Sequence, residues 1–203
     1  MKPAVFFDRD GVINELVLNP ATGEYEPPHS PGDLVLVHDA IRSLHDLQNA
    51  GFDLFLVSNQ PDYAKGKTTL EQIRAVHEKL DRIIKDGGVR FRDYYYCYHH
   101  PNGIEPAYSF ECECRKPKPY FLLKAAGDYG IDLAGSWMIG DRDTDIECGK
   151  AAGTHTILVL IEESSKYRSS SCPDYTAENI QEAAKIILRI ALEMSGNMPI
   201  PSS

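Results

Sequence analysis

Apolar and polar positions along the chain switch repeatedly between a period near two and a period near 3.6. The short apolar run Ala4-Val5-Phe6-Phe7 reads as a buried strand, and at its C-terminal end Asp8 and Asp10 stand two residues apart with Gly11 behind them. That pattern also suits an ordinary polar turn. Ile41, Leu44 and Leu47 then share a helical face that Gly51 closes, and Phe52 to Val57 reads as a second strand ending in Ser58-Asn59-Gln60. Thr69-Leu70-Glu71-Gln72 has the form of a capping box. It leads a helix whose apolar face holds Ile73, Val76, Leu80 and Ile83, ended by Gly87-Gly88.

Tyr94 to Tyr98 predicts a third strand, since aromatic residues suit a pleated, half-buried surface; the same burial accounts for the tyrosine run without a stacking role. Phe121, Leu122, Ala125 and Tyr129 give a further helix closed by Gly130, and Ser136 to Gly140 a fourth strand that ends at Asp141. A short helix over Ile146 to Ala152 and a fifth strand over Thr156 to Ile161 follow. Glu162 to Tyr175 is polar and serine-rich, a surface loop. Ile180, Ala183, Ala184, Ile187, Ile190 and Met194 then predict a C-terminal helix over about 176–195, with 197–203 frayed. Strand and helix alternate throughout, which predicts an α/β fold: a doubly wound parallel sheet with right-handed crossovers.

Composition narrows the class. The 203 residues, 42% apolar and 25% charged, fit one globular domain over 1–203, without repeats or an interdomain linker. A net charge of -9 disfavours nucleic acid and anionic membranes as partners. No signal segment opens the chain, and no apolar run approaches the roughly 18 residues of a membrane helix, so a cytoplasmic protein is expected, and a monomer. Five cysteines, an odd number, argue against a disulfide framework.

Four strand ends now carry polar groups that a parallel sheet would bring to one rim: Asp8 with Asp10, Ser58 with Asn59, Lys116 through its loop, and Asp141 with Asp145. Converging carboxylates repel unless a cation sits among them, and an all-oxygen set suits Mg²⁺. Ser58 and Lys116 offer a hydroxyl and a positive charge to phosphate oxygens. Two aspartates can divide phosphoryl transfer, one attacking phosphorus and the other moving the proton. Cys97 and His99, followed after twelve residues by Cys112 and Cys114, supply three thiolates and an imidazole, the number a tetrahedral zinc requires. His100 is the competing imidazole. A Cys112–Cys114 redox pair is the other reading, awkward at a one-residue separation. Cys148 reads as a buried small hydrophobe and Cys172 as an exposed thiol. His29, His38, His45, His77 and His155 lack ligand spacing, and Lys65-Gly66-Lys67 reads as a solvated turn.

Taken together, Asp8-Arg9-Asp10-Gly11-Val12-Ile13-Asn14, Ser58-Asn59-Gln60, Arg115-Lys116-Pro117 and Gly140-Asp141-Arg142-Asp143-Thr144-Asp145 resemble the haloacid dehalogenase superfamily. More narrowly they are similar to its histidinol-phosphate and heptose-bisphosphate phosphatase branch, over about residues 4–161. The resemblance implies a Rossmann-like core and a Mg²⁺-dependent phosphomonoesterase working through a phosphoaspartate. It implies Asp8 as nucleophile and metal ligand, Asp10 as general acid and base whose backbone carbonyl also binds the metal, and Asp141 as the third metal ligand. Ser58, Asn59 and Lys116 fall at phosphate-binding positions, and Arg115 and Arg142 at substrate-contacting ones. For Asp145, fixing the loop and the helix start stands beside direct ligation. Cys97, His99, Cys112 and Cys114 match the ligands of a structural Zn²⁺ in a loop over 97–114, which leads into Arg115-Lys116 and would support them.

No stretch has room for a separate cap domain, so loops over 15–32, 61–67 and 99–115 must select the substrate. The branch continues its second motif with a small residue, a glycine and an arginine, whereas this chain has Pro61-Asp62 and, nearest the arginine, Lys65. A small phosphorylated metabolite is expected, a sugar phosphate such as heptose 1,7-bisphosphate ahead of histidinol phosphate. Two readings of other classes are a nucleic-acid 3′-phosphatase, which would bind short oligonucleotides, and a non-catalytic zinc-stabilised binding module, which would bind neither Mg²⁺ nor phosphate.

Overall fold

A computed structural model describes residues 1–194; the fraying expected over 197–203 lies outside the described residues. The first strand, β1 (Ala4–Phe7), is the centre of a six-stranded parallel sheet. Its four residues are all buried because Ala4 and Phe6 face one layer while Val5 and Phe7 face the other. After β1 the chain forms the antiparallel pair β2 (Val17–Asn19) and β3 (Glu24–Glu26), then α1 (Ala40–Asn49), β4 (Asp53–Asn59), α2 (Leu70–Asp86) and β5 (Asp93–Cys97). It then crosses back through α3 (Tyr120–Tyr129) to β6 (Trp137–Gly140), α4 (Asp143–Ala152), β7 (His155–Val159), β8 (Tyr175–Ala177) and α5 (Ile180–Met194).

The sheet order is β5-β4-β1-β6-β7-β8. The winding therefore reverses at β1, and the crevice beyond the carboxyl ends of β1, β4 and β6 is where such a sheet binds ligands. Helices α1, α2 and α5 cover one face through residues such as Leu44, Leu80 and Ile187. Helices α3 and α4 cover the other, where Leu122, Ala125 and Cys148 pack on Phe55 and Met138. Phe6 stacks on Phe55 at 5.1 Å between centroids, and each such fully buried side chain contributes ~1.5–3 kcal/mol.

The predicted elements are present with shifted ends. β4 runs on through Ser58 and Asn59, so both residues are held in the sheet rather than in a loop. Thr69 does cap α2, its hydroxyl accepting the Gln72 N–H at 3.2 Å. The buried seam of that helix ends at Ile84, with Ile83 packed at its edge. α4 begins at Asp143, three residues earlier than its apolar pattern suggested. The polar stretch expected as loop contains a short 3₁₀ turn over Glu162–Tyr167, and the edge strand β8 takes the first residues expected as helix, so α5 starts at Ile180 rather than near 176. β8 and the β2–β3 pair escaped the pattern because each strand has only three residues, too few for a period to register. No helix among the described residues is long and apolar enough to cross a membrane.

Candidate active site

The four strand ends meet. Asp8 follows β1, and its backbone N–H still donates to the Ile139 carbonyl at 2.9 Å, so the carboxylate starts from a position locked in the sheet. Lys116 arrives from the loop after β5 and is 2% exposed. Its Nζ donates to the Val57 carbonyl at 2.7 Å and pairs with Asp8 Oδ1 at 3.1 Å and Asp145 Oδ1 at 2.6 Å. Asn59 sets that lysine: its side-chain carbonyl accepts the Lys116 N–H and its amide donates to the Lys116 carbonyl, both at 3.1 Å. One Asn59 amide N–H is thereby engaged by the backbone that carries the lysine. Ser58 is buried, with its Oγ accepting from Gln60 Nε2 at 3.0 Å.

Two glycines permit this convergence. At Gly11, φ is +82°, and a Cβ there would lie 2.7 Å from an Asp141 oxygen. At Gly140, a Cβ would fall 2.1 Å from the Cβ of Asp145, so only glycine lets the start of α4 close onto the end of β6. Asp145 then accepts the Arg142 N–H at 3.0 Å, an N-terminal cap for α4, while its other oxygen holds Lys116. Of the two roles open for Asp145, these contacts occupy both its oxygens in fixing the helix start and the lysine.

The carboxylates differ in charge environment. Burial opposes ionisation of Asp8, but Lys116, Arg142, the Arg9 N–H and the Ser58 hydroxyl outweigh it and hold the carboxyl below its ordinary range. Asp141 is fully buried, and both its oxygens lack a hydrogen-bond partner. Burial, reinforced by Asp145 and Asp8, pushes its carboxyl up to about 8. One oxygen each from Asp8, Asp141 and Asp145 lie within 4.8 Å of one another. The orphaned Asp141 oxygens, crowded against the other two carboxylates, are what a small hard cation satisfies, so the residues present fit Mg²⁺.

The Asp10 carboxylate is outside that group. It accepts from Arg9 Nε at 2.9 Å, a second Arg9 nitrogen at 3.1 Å, Asn14 Nδ2 at 3.0 Å and Gln60 Nε2 at 2.6 Å. Arg9 is completely buried beneath it and also donates to Gln60 Oε1 at 2.9 Å. Neither Arg9 nor Gln60 was given a role by the sequence. Their one signal was polarity: a guanidinium and an amide at a strand's end, where a core needs neither.

A second cluster lies along the loop after β5. Cys97 Sγ is 3.5 Å from Cys112 Sγ and 3.8 Å from His99 Nδ1; Cys114 Sγ is 3.4 Å from Cys112 Sγ and 3.5 Å from His99 Nδ1. Tetrahedral ligands on Zn–S bonds of 2.3 Å would stand about 3.8 Å apart, so the set fits a four-coordinate ion. His100 is not among them, its Nδ1 accepting instead from the Asn102 N–H at 3.1 Å. All five cysteines are free thiols. Arg115 donates to the His99 carbonyl at 3.2 Å, linking the cluster to the rim.

Sequence comparison places the chain. The HAD-hydrolase-like family profile matches residues 113–183. The D-glycero-beta-D-manno-heptose-1,7-bisphosphate 7-phosphatase of Yersinia pestis is 33% identical over 186 residues, covering 91% of this chain and 95% of that relative. The protein of the same name from Vibrio cholerae is 34% identical over 190 residues, covering 93% and 98%. The chain belongs to the haloacid dehalogenase-like phosphatases. It is thus a phosphoric monoester hydrolase. Among solved structures, the D,D-heptose 1,7-bisphosphate phosphatase of B. bronchiseptica, complexed with magnesium and phosphate, aligns with a TM-score of 0.76 at 25% identity, over 93% of this chain and 99% of that one. The L-2-haloacid dehalogenase of Xanthobacter autotrophicus, at 12% identity and a TM-score of 0.59, covers 93% and 99% and shares the fold.

In this phosphatase the reacting groups open into a cavity of about 330 Å³. Asp8 and Lys116 lie at its floor, and Arg115, Arg142 and Lys65 line its wall. The Arg142 guanidinium lies 4.2 Å above the Tyr167 ring. The β2–β3 pair closes the side, with ion pairs from Glu26 to Lys67 and from Glu24 to Lys166. Lys65-Gly66-Lys67 is the turn expected, with Gly66 and Lys67 exposed, and both lysines also line the cavity. His29 is half-buried, and its Nε2 meets Asp62 Oδ2 at 2.8 Å. Residues 33 positions apart share no local pattern, so no sequence signal joined them.

Proposed function

We propose that the enzyme hydrolyses one phosphate of a sugar bisphosphate, heptose 1,7-bisphosphate, through a phosphoaspartate. Asp8 is the nucleophile. Its oxygen bonds to phosphorus as the bond to the sugar oxygen breaks, and that oxygen takes a proton from the Asp10 carboxyl. Asp10 then removes a proton from water, whose oxygen attacks phosphorus. The bond to Asp8 breaks, and inorganic phosphate leaves with Asp8 restored. Arg9, Asn14 and Gln60 together hold the Asp10 carboxyl group in place beside Asp8.

Lys116, with the Ser58 hydroxyl, offers positive charge and a donor to the transferring oxygens. Asn59 serves by holding the lysine in place. Asp8, Asp141 and the Asp10 carbonyl would hold Mg²⁺, which supplies the charge that offsets repulsion between Asp8 and phosphate. Cys97, His99, Cys112 and Cys114 would hold Zn²⁺, which supplies folding energy to the 97–114 loop.

The observation that carries the substrate reading is that, away from the reacting carboxylates, Lys65, Lys67, Arg115 and Arg142 on the cavity lining outnumber Glu26 and Asp62. Lys116 already serves the reacting phosphate, yet Arg115, Arg142 and Lys65 also line the cavity. Burial lowers the Lys65 ammonium below its ordinary range; Asp62 opposes the shift, and Lys67, Arg115 and Arg142 add to it. A second phosphate relieves that crowding, whereas the ammonium of histidinol phosphate adds to it. The relatives named as heptose 1,7-bisphosphate 7-phosphatases support the same choice. The test is phosphate release from the heptose bisphosphate, histidinol phosphate and nucleotides in Mg²⁺. The bisphosphate is expected to give the highest kcat/KM, and Asp8→Asn to abolish turnover while keeping the wild-type circular dichroism. Full activity in Asp8→Asn would remove it as nucleophile.

A further inference from the structure

Asp62 is an acid in a cavity lined with cations for an anion. It is 6% exposed and lines the cavity with Lys65 and Lys67, and its Oδ2 is held at 2.8 Å by His29 Nε2. Its other oxygen has no hydrogen-bond partner among the described residues. Among the described residues His29 makes no other hydrogen bond, so its visible contact is to orient this carboxylate. The backbone is fixed as well: the Asp62 carbonyl accepts the Lys67 N–H at 2.8 Å, and the Pro61 carbonyl accepts the Lys65 N–H at 2.9 Å.

A carboxylate so placed repels a phosphate, and its retention beside an anion site calls for something it attracts. Although burial opposes its charge, His29 and the two lysines keep Asp62 below the ordinary carboxylate range, so at neutral pH it is ionised and can only accept hydrogen bonds. The ligand must therefore bring a donor. An ammonium would have to sit among Lys65, Lys67, Arg115 and Arg142; a hydroxyl carries no such cost.

We propose that Asp62, oriented by His29, is a specificity-determining residue that accepts a hydrogen bond from a hydroxyl of the substrate's carbon chain, selecting polyhydroxyl phosphates over plain phosphate esters. The inference rests on the sugar-phosphate reading above and adds to it the group that reads the sugar. His29 is a positioning residue, acting through Asp62.

The experiment compares the heptose bisphosphate with heptane-1,7-diol bisphosphate, which keeps both phosphates and lacks the ring and its hydroxyls, and with p-nitrophenyl phosphate. Losing a hydrogen bond to a charged group corresponds to a drop of about 10- to 100-fold. Asp62→Ala should lower kcat/KM for the sugar by that factor, chiefly through KM, while the diol bisphosphate and p-nitrophenyl phosphate stay level or improve because a negative charge has gone. His29→Ala should act in the same direction more weakly, and His29→Gln, which keeps a donor, should restore the wild-type value. If Asp62 only balanced the lysines, all three substrates would improve together in Asp62→Ala, and the proposal would fall. It would fall equally if the loss appeared only with histidinol phosphate, which would make Asp62 an ammonium site. Should wild type hydrolyse p-nitrophenyl phosphate but prefer the diol bisphosphate to the sugar, the sugar-phosphate reading itself is refuted, and with it this inference. A wild-type preference for sugar that persists unchanged in both Asp62→Ala and His29→Ala refutes the inference alone. Unchanged far-ultraviolet circular dichroism and melting in His29→Gln serve as the folding control.

Discussion

Replacing Asp141 with asparagine should make the enzyme inactive and, in the absence of magnesium, more stable. Asp141 is completely buried with neither oxygen hydrogen-bonded and Arg142 Nε 3.8 Å from one of them, and its carboxyl rises from 3.8 to about 8. A folded value above the unfolded one means that folding resists ionisation. Below about pH 4 the group is protonated in both states and carries no penalty; the penalty grows as pH rises and is complete above about 8. At pH 7 the three or so units between 3.8 and 7 correspond to an upper bound of about 4 kcal/mol at ~1.4 kcal/mol per unit. The asparagine amide inherits the absence of partners, which returns about 1–3 kcal/mol of that gain. The net expectation is a stabilisation of about 1–3 kcal/mol, or roughly 2–12 °C in Tm for a domain of this size. The assay is calorimetric melting of zinc-loaded protein in magnesium-free buffer, without a chelator that would strip zinc, across pH 4.5 to 7.5. The gap between variant and wild type should close toward pH 4.5. Added Mg²⁺ should raise the wild-type Tm and leave the variant unmoved. A variant that melts below wild type at pH 7.5 without magnesium, or a gap independent of pH, would refute the reasoning.

Two further outcomes follow from the same contacts. Lys116→Met keeps the volume but leaves Asp8 and Asp145 facing each other without their shared cation, and breaking a buried pair in this way costs about 3–5 kcal/mol; urea unfolding should show that loss at pH 7 and a partial recovery at pH 5, where the carboxylates can take up protons, together with loss of phosphatase activity. Lys116 itself is raised above its ordinary value, first against burial and then by Asp145 and Asp8, so its contribution is complete below its unfolded value and does not change between pH 5 and 7. Cys112→Ser removes one of four clustered ligands. Elemental analysis should show bound zinc falling well below one per chain, and KM should rise because Arg115 is tied to the His99 carbonyl; a variant with full zinc and unchanged KM would separate the cluster from the cavity.

The parallel α/β winding was legible in the chain because its cause is local: strands buried on both faces are apolar throughout, and helices that cover them repeat every 3.6 residues. Acids at the ends of such strands, and a cysteine and histidine set at short spacing, could be read the same way, and Asp8, Lys116, Asp141 and the Cys97 cluster do come together. What the sequence left open was decided by contacts between residues far apart in the chain. Asn59 falls at a phosphate-binding position, but nothing in the sequence joined it to Lys116, 57 residues on, whose backbone it clamps. Asp10 and Arg9 looked like one motif, and only packing against Gln60 made them a buried network. Asp62 stood out as a departure after the second motif, but nothing in the sequence joined it to His29, and the strand pair β2–β3 was too short to show a period. A polar side chain on a solvated loop and one that closes a binding cavity have the same identity and the same neighbours in sequence. The burial and the partner that distinguish them exist only after the sheet has brought its strand ends to one rim.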